Sequence, residues 1–192
     1  MAFRAVLDTC TLYPAHLRDT LLRLAERHLY VALWSEGILG ELRSSLTRAG
    51  VAPSSVERLI AEMRRAFPDS GVEGYEALID AMECDPKDKH VLAAAVRSDA
   101  AALVTFNVSD FPSESTEQYA IEVVEPDEFL LDLLDLNPQA VIIELETQAA
   151  TNRASPKTLS ELLRALAVAG VPRFASQVEK SNPASQSGLS AS

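Results

Sequence analysis

The stretch that most limits what this chain can fold into runs from Asp85 to Phe111, DPKDKHVLAAAVRSDAAALVTFNVSDF. It predicts a helix opened by Asp85 as N-cap, Pro86 at the first helical position and a second carboxylate, Asp88, two residues on. An apolar helical run follows, then a short β-prone run over residues 102–106 that closes on Asn107, Asp110 and Phe111. A helix leading into a strand, with an acid at the start of one and just past the end of the other, is half of the rim of an α/β crevice. At about 100° per residue, Val91, Leu92 and Ala95 fall within roughly 60° of Asp88. Asp88 therefore points to the core side of its helix. Capping and dipole contacts are the ordinary use of such an acid, so its role depends on what else reaches the same place.

The flanking sequence supplies the rest of an alternating pattern. Phe3–Leu7 reads as a first strand ending at Asp8, followed by a helix from Pro14 to about His28. Residues 29–34 (LYVALW) read as a second strand, and Ser35 caps a helix with Ile38, Leu39, Leu42 and Leu46 as its buried stripe and Glu41 on its flank. A third helix spans 54–67, Val72 belongs to a short edge strand, 76–82 form a brief helix, and 121–124 a last strand. Beyond Pro126 only helices are predicted: 126–136, one capped by Asn137-Pro138, one opened by Ser155-Pro156 and ending at Gly170, and a last turn or two over 173–179. Such alternation predicts α/β architecture, a Rossmann-like parallel sheet covered by helices on both faces. The predicted division is an α/β domain over 1–126, a helical extension over 127–180, and a Ser/Ala/Pro/Gln-rich disordered tail over 181–192.

Composition enters where it excludes something. Cys10 and Cys84 are the only cysteines and fit neither a disulfide framework nor a metal knuckle, so a reducing cytoplasmic setting is expected. No signal peptide and no membrane-spanning run is predicted. The net charge of −11 looks hostile to nucleic acid. Yet residues 113–147 hold 10 acids and no bases, so most of the excess lies in one contiguous stretch able to form a solvated face of its own. A nucleic-acid substrate is not excluded, above all with divalent cations between protein and phosphate.

In open α/β sheets the functional crevice lies outside the carboxyl ends of the strands. That rule gathers Asp8, Glu41 and Asp110, with Thr105 and Asn107 beside them, and admits Asp88 if the turn before its helix reaches the same rim. Four carboxylates so placed repel one another unless a cation holds them. All-oxygen ligation favours Mg²⁺ or Mn²⁺ over zinc, and such an ion suits phosphodiester hydrolysis. His90 lies about 200° from Asp88 on the wheel and is expected to be solvated or phosphate-facing. Arg43, Arg48, Lys87 and Lys89 lie near the rim, as solvated bases or as contacts to a nucleic-acid backbone. No Walker loop, nucleophile elbow, HExxH or GxGxxG is present.

The segments VLDTC, WSEGILGELRSSL, DPKDKHVLAAAV and LVTFNVSDFP, in this order and spacing over the first 112 residues, resemble the PIN-domain ribonucleases, close to the toxins of VapBC-type toxin–antitoxin pairs. The resemblance implies a PIN-like fold and a Mg²⁺- or Mn²⁺-dependent endoribonuclease acting on RNA. It further implies a small antitoxin partner and dimerisation. Carried over by position, Asp8, Glu41, Asp88 and Asp110 match the acidic quartet that binds metal and catalyses. Thr105 matches the supporting hydroxyl, and Asn107 the polar position after it. Cys10 stands where the family often has Asn. Two alternatives remain. One is a PIN-like module that binds a partner without catalysis. The other is a receiver-type signalling domain, disfavoured because the last strand runs into Glu125-Pro126 with no lysine.

Overall fold

A computed structural model of the chain describes residues 3–152 and 154–181. The elements in order are β1 (Arg4–Leu7), α1 (Thr9–Leu12), α2 (Ala15–Glu26), β2 (Val31–Ser35), α3 (Glu36–Arg48), α4 (Pro53–Ala66), β3 (Gly71–Val72), α5 (Lys89–Arg97), β4 (Ala102–Val104), α6 (Ser113–Thr116), β5 (Glu122–Val124), α7 (Pro126–Leu136), α8 (Pro138–Thr151), α9 (Leu159–Val168) and α10 (Pro172–Ser181). Residues 76–81 and 108–110 form 3₁₀ turns. The chain falls into two compact units, residues 1–13 with 30–125, and residues 14–29 with 126–192. These units cut across the linear division at residue 126, because α2 clusters with the C-terminal helices. The tail expected to be disordered, 181–192, lies outside the described residues except for Ser181, the last residue of α10.

The first unit is a five-stranded sheet in the order β3-β2-β1-β4-β5 with every pairing parallel, flanked by helices. β1 lies in the middle because Ala5, Val6 and Leu7 are wholly buried, as a strand covered on both faces requires. The order reverses between β1 and β4, where Leu7 pairs with Val104. Asp8 and Thr105, the next residue of each strand, thus leave the sheet side by side at the switch point. α5 packs on β1, β2 and β4, and its Val91–Ala95 run has essentially no exposure. A helix apolar on all sides is a buried one. α3 begins as expected, with Ser35 Oγ accepting from Ile38 N–H and Ile38, Leu39, Leu42 and Leu46 turned inward. Trp34 meets Phe67 edge-on with ring centroids 5.7 Å apart.

Two helix starts differ from expectation. α5 begins at Lys89, not at Pro86. Asp85 shapes a preceding turn instead, its Oδ1 accepting from Lys87 N–H and its carbonyl from Asp88 N–H. Asp88 is the N-cap residue, but its side chain caps nothing. α9 is capped by Thr158, whose Oγ1 accepts from Glu161 N–H, and not by Ser155. In both places a Pro after a small polar residue marks a turn one step ahead of the helix. Pro fixes its own φ and disfavours helical geometry just before it, without compelling helix after it.

The second unit packs α2 with α7–α10 around Leu17, Leu21, Leu24, Leu130, Leu133, Val141, Leu145, Leu162, Leu166 and Phe174. Its interior carries satisfied polar groups. Gln148, fully buried, donates to the carbonyl of His16 and accepts from Thr20 Oγ1 at 2.7 Å. Arg27 hydrogen-bonds the buried Glu144. Asp127 accepts from the N–H groups of Arg173 and Phe174, so a carboxylate of α7 caps the start of α10. No helix among the described residues is long and apolar enough to cross a membrane.

Candidate functional site

Asp8 sits past the end of β1, 4% exposed, and every bond to it is local or comes from the neighbouring β4 end. Its Oδ1 accepts from Thr9 N–H at 2.6 Å, and its Oδ2 from Thr105 Oγ1 at 2.7 Å and from Cys10 Sγ at 3.0 Å. Thr105, wholly buried, is held in turn by Asn107 N–H at 3.1 Å. Asn107 thus enters this network through its backbone. Cys10 also accepts from Phe106 N–H. Burial, then the nearby Asp8 charge, push its thiol up to about 11. At neutral pH the sulfur keeps its proton and donates it to the carboxylate, the role an amide would play at this position.

Glu41 reaches the same place from the second turn of α3. Thr9 Oγ1 donates to its Oε2 at 2.8 Å, and His90 Nε2 to its Oε1 at 2.9 Å. The His90 hydrogen bond is the main reason the Glu41 carboxyl lies below its ordinary range, and the same bond raises the His90 pKa. His90 is therefore not a solvated group, since only 18% of its side chain is exposed. Counting angles from Asp88 misplaces it, because Asp88 precedes the first turn of α5 and is no origin for a wheel drawn along that helix. Sequence reasoning missed two partners of Glu41, then. Thr9 was legible only as the neighbour of Asp8, and His90, 49 residues from Glu41, had no local signal.

Asp88 and Asp110 come together through backbone: Asp85 N–H donates to the Asp110 carbonyl at 3.1 Å, tying the turn before α5 to the turn after β4. Lys87 spans the two acids, its Nζ 3.0 Å from Asp110 Oδ2 and 3.8 Å from Asp88 Oδ2. The second distance is too long for a hydrogen bond. Asp88 Oδ2 is buried with no hydrogen-bond partner among the described residues. Burial is the largest influence on this carboxyl and pushes it up to about 6. Lys87 pulls the other way, while Asp8, Asp110 and Asp85 add to the rise.

Asp8, Cys10, Glu41, Asp88 and Asn107 line one cavity of about 570 Å³, with Arg48 at its edge. Asp110 is not in that lining and joins the group through Lys87. Among the described residues no three His, Cys, Asp or Glu side chains close round a single point as they stand. The donor set is nonetheless suited to a hard cation. It is all carboxylate, its thiol is held protonated, and it includes a buried oxygen whose charge nothing hydrogen-bonds.

Residues 4–109 of the chain match the family model of the PIN domain. The chain belongs to the PIN-domain family. Residues 126–180 match a second model, described as the VapC50 C-terminal domain. The PIN-domain chain is similar to a Mycobacterium tuberculosis (strain ATCC 25618 / H37Rv) protein named "Putative ribonuclease VapC50", with 41% identity over 110 residues. That alignment covers 57% of this chain and 64% of its relative. No solved structure matches.

Proposed function

We propose that this PIN domain is a Mg²⁺- or Mn²⁺-dependent endoribonuclease that hydrolyses RNA phosphodiester bonds, the toxin of a type II toxin–antitoxin pair acting in the cytoplasm. The observation that carries the reading is the Asp88 carboxylate, buried beside Asp8 and Asp110 with one oxygen that no hydrogen bond reaches among the described residues. Leaving a buried charged acceptor unmet is costly, and a carboxylate cluster that persists at a crevice rim has a use for a cation. The toxin assignment draws on the sequence resemblance and on the likeness to VapC50 along the chain. A small antitoxin and a second copy of the chain are the partners this reading expects.

Asp8, Asp88 and Asp110 would hold the ion, with Glu41 at its edge. A bound Mg²⁺ or Mn²⁺ supplies positive charge to offset the phosphodiester and acidifies water. The chain's own residues do the rest. Thr9, Cys10 and Thr105 fix the plane of the Asp8 carboxylate, so that no reorganisation is needed when substrate arrives. Glu41, kept ionised by His90 and half exposed, orients the attacking water and takes its proton. Lys87, 61% exposed on its long stem, is free to turn from Asp110 toward the phosphate.

The test is cleavage of single-stranded RNA by purified protein with and without Mn²⁺. Asp8→Asn and Asp88→Asn are each expected to abolish Mn²⁺-stimulated cleavage. An Asp88→Asn protein cutting as fast as the parent would sink the assignment.

A further inference from the structure

A second cavity, of about 770 Å³, adjoins the acidic one and shares Thr9, Glu41, Ser45 and Arg48 with it. Its remaining wall includes Gly37, Gly40 and Ser44 of α3 together with Tyr75 and His90. The volume lies within the range of small-ligand sites, roughly 300–1,000 Å³.

The two glycines stand inside a 13-residue helix, where glycine is a poor choice beside alanine. Packing explains one of them. A Cβ on Gly37 would lie 2.9 Å from His90 Nδ1 and 3.1 Å from Tyr75 Oη, so only a hydrogen lets His90 reach Glu41. Packing does not explain the other, because a Cβ on Gly40 would meet nothing within 4 Å. What Gly40 preserves is the empty space over the helix backbone.

Arg48 supplies the complementary charge. It lies two helical turns beyond Glu41, on the same side of α3, and lines both cavities. Arg43 and Arg64 are paired with Glu57 and Glu36, whereas Arg48 has no ion pair among the described residues. A cation left without an acid where two cavities meet, hydroxyls on Ser44 and Ser45, and ring walls make up the chemistry that holds one nucleotide of a single strand. In a site of this kind a guanidinium takes the phosphate, hydroxyls the ribose and aromatic walls the base.

Resting on the nuclease reading above, we propose that the Gly40 cavity seats the nucleotide adjoining the cleaved bond of single-stranded RNA, with Arg48 gripping its phosphate. The strand then crosses α3 at Glu41, one nucleotide on each side.

The experiment uses the full chain and a short fluorescein-labelled single-stranded RNA of mixed sequence, with steady-state cleavage in Mn²⁺ and a calorimetric Mn²⁺ titration of each variant. Gly40→Leu projects a side chain into the cavity from a position where its Cβ meets nothing within 4 Å, and it improves the helix. It is expected to raise KM by about tenfold or more, the effect of excluding one stacked base. Its kcat and Mn²⁺ affinity should stay near the parent's, and Gly40→Ala should raise KM in the same direction by less than Gly40→Leu does. Arg48→Gln is expected to raise KM and to lower the salt slope of RNA affinity by about one. Gly40→Leu and Arg48→Gln proteins that both keep the parent's KM overturn the subsite while leaving the nuclease intact. A parent protein that neither binds nor cuts the RNA overturns the nuclease reading, and the subsite with it.

Discussion

Replacing Asp88 by Asn should make the metal-free protein more stable while removing its response to metal. The Asp88 carboxyl lies at about 6 in the fold against an ordinary 3.8, chiefly through burial. Because the folded value is the higher one, the group favours the fold fully when protonated in both states, below about 3.8. That favour is lost as pH rises through the window to about 6, and at neutral pH the ionised side chain opposes folding. A rise of this size corresponds to roughly 3 kcal/mol, and solvent and Lys87 nearby lower the expected effect to about 1–2 kcal/mol. Asparagine keeps the shape and removes the charge, and the start of α5 is untouched because the Asp88 side chain makes no capping bond. Urea unfolding of EDTA-treated parent and Asp88→Asn proteins should therefore show the variant about 1–2 kcal/mol more stable at neutral pH, with the gap closing as pH falls through that window. With Mn²⁺ at a hundred times its dissociation constant the order should invert, since the parent gains about 2.7 kcal/mol and the variant little. A variant no more stable than the parent at neutral pH, or one that Mn²⁺ stabilises equally, would refute the burial of an unmet charge at this position.

Two further predictions concern contacts that were not legible locally. His90→Ala removes the donor to Glu41 Oε1 and should lower kcat about tenfold or more at unchanged Mn²⁺ affinity by calorimetry, because the water-orienting carboxylate loses one of its two anchors. In the helical unit, Asp127→Ala leaves the first N–H groups of α10 without acceptors and should cost about 1–2 kcal/mol in chemical denaturation, with RNA cleavage per folded molecule unchanged.

Lys87 bears on how the acidic cluster is tolerated. An ammonium group 3.0 Å from Asp110 and 3.8 Å from Asp88 lessens their mutual repulsion, and its own pKa is raised first by the hydrogen bond to Asp110. It is mostly exposed, so this pairing is weak and yields readily to a divalent ion.

Sequence periodicity alone determined the alternation of strands and helices, the parallel sheet they build and the rim at which Asp8, Thr105 and Asp110 stand. These follow from spacing along the chain, since a strand or helix of given pattern has few ways to bury its apolar face. Asp8, Glu41 and Asp110 could be gathered from sequence because the crevice of a parallel sheet has one location, and Asp88 joined them through the family resemblance. Tertiary structure decided the rest. The unmet oxygen of Asp88, the grip of Thr9 and His90 on Glu41 and the thiol donated to Asp8 depend on groups brought together by the fold, and burial is a property of the surroundings that no local spacing encodes. The membership of α2 in the C-terminal unit has the same cause: its leucine stripe specifies that one face is buried, and leaves the partner to the fold as a whole.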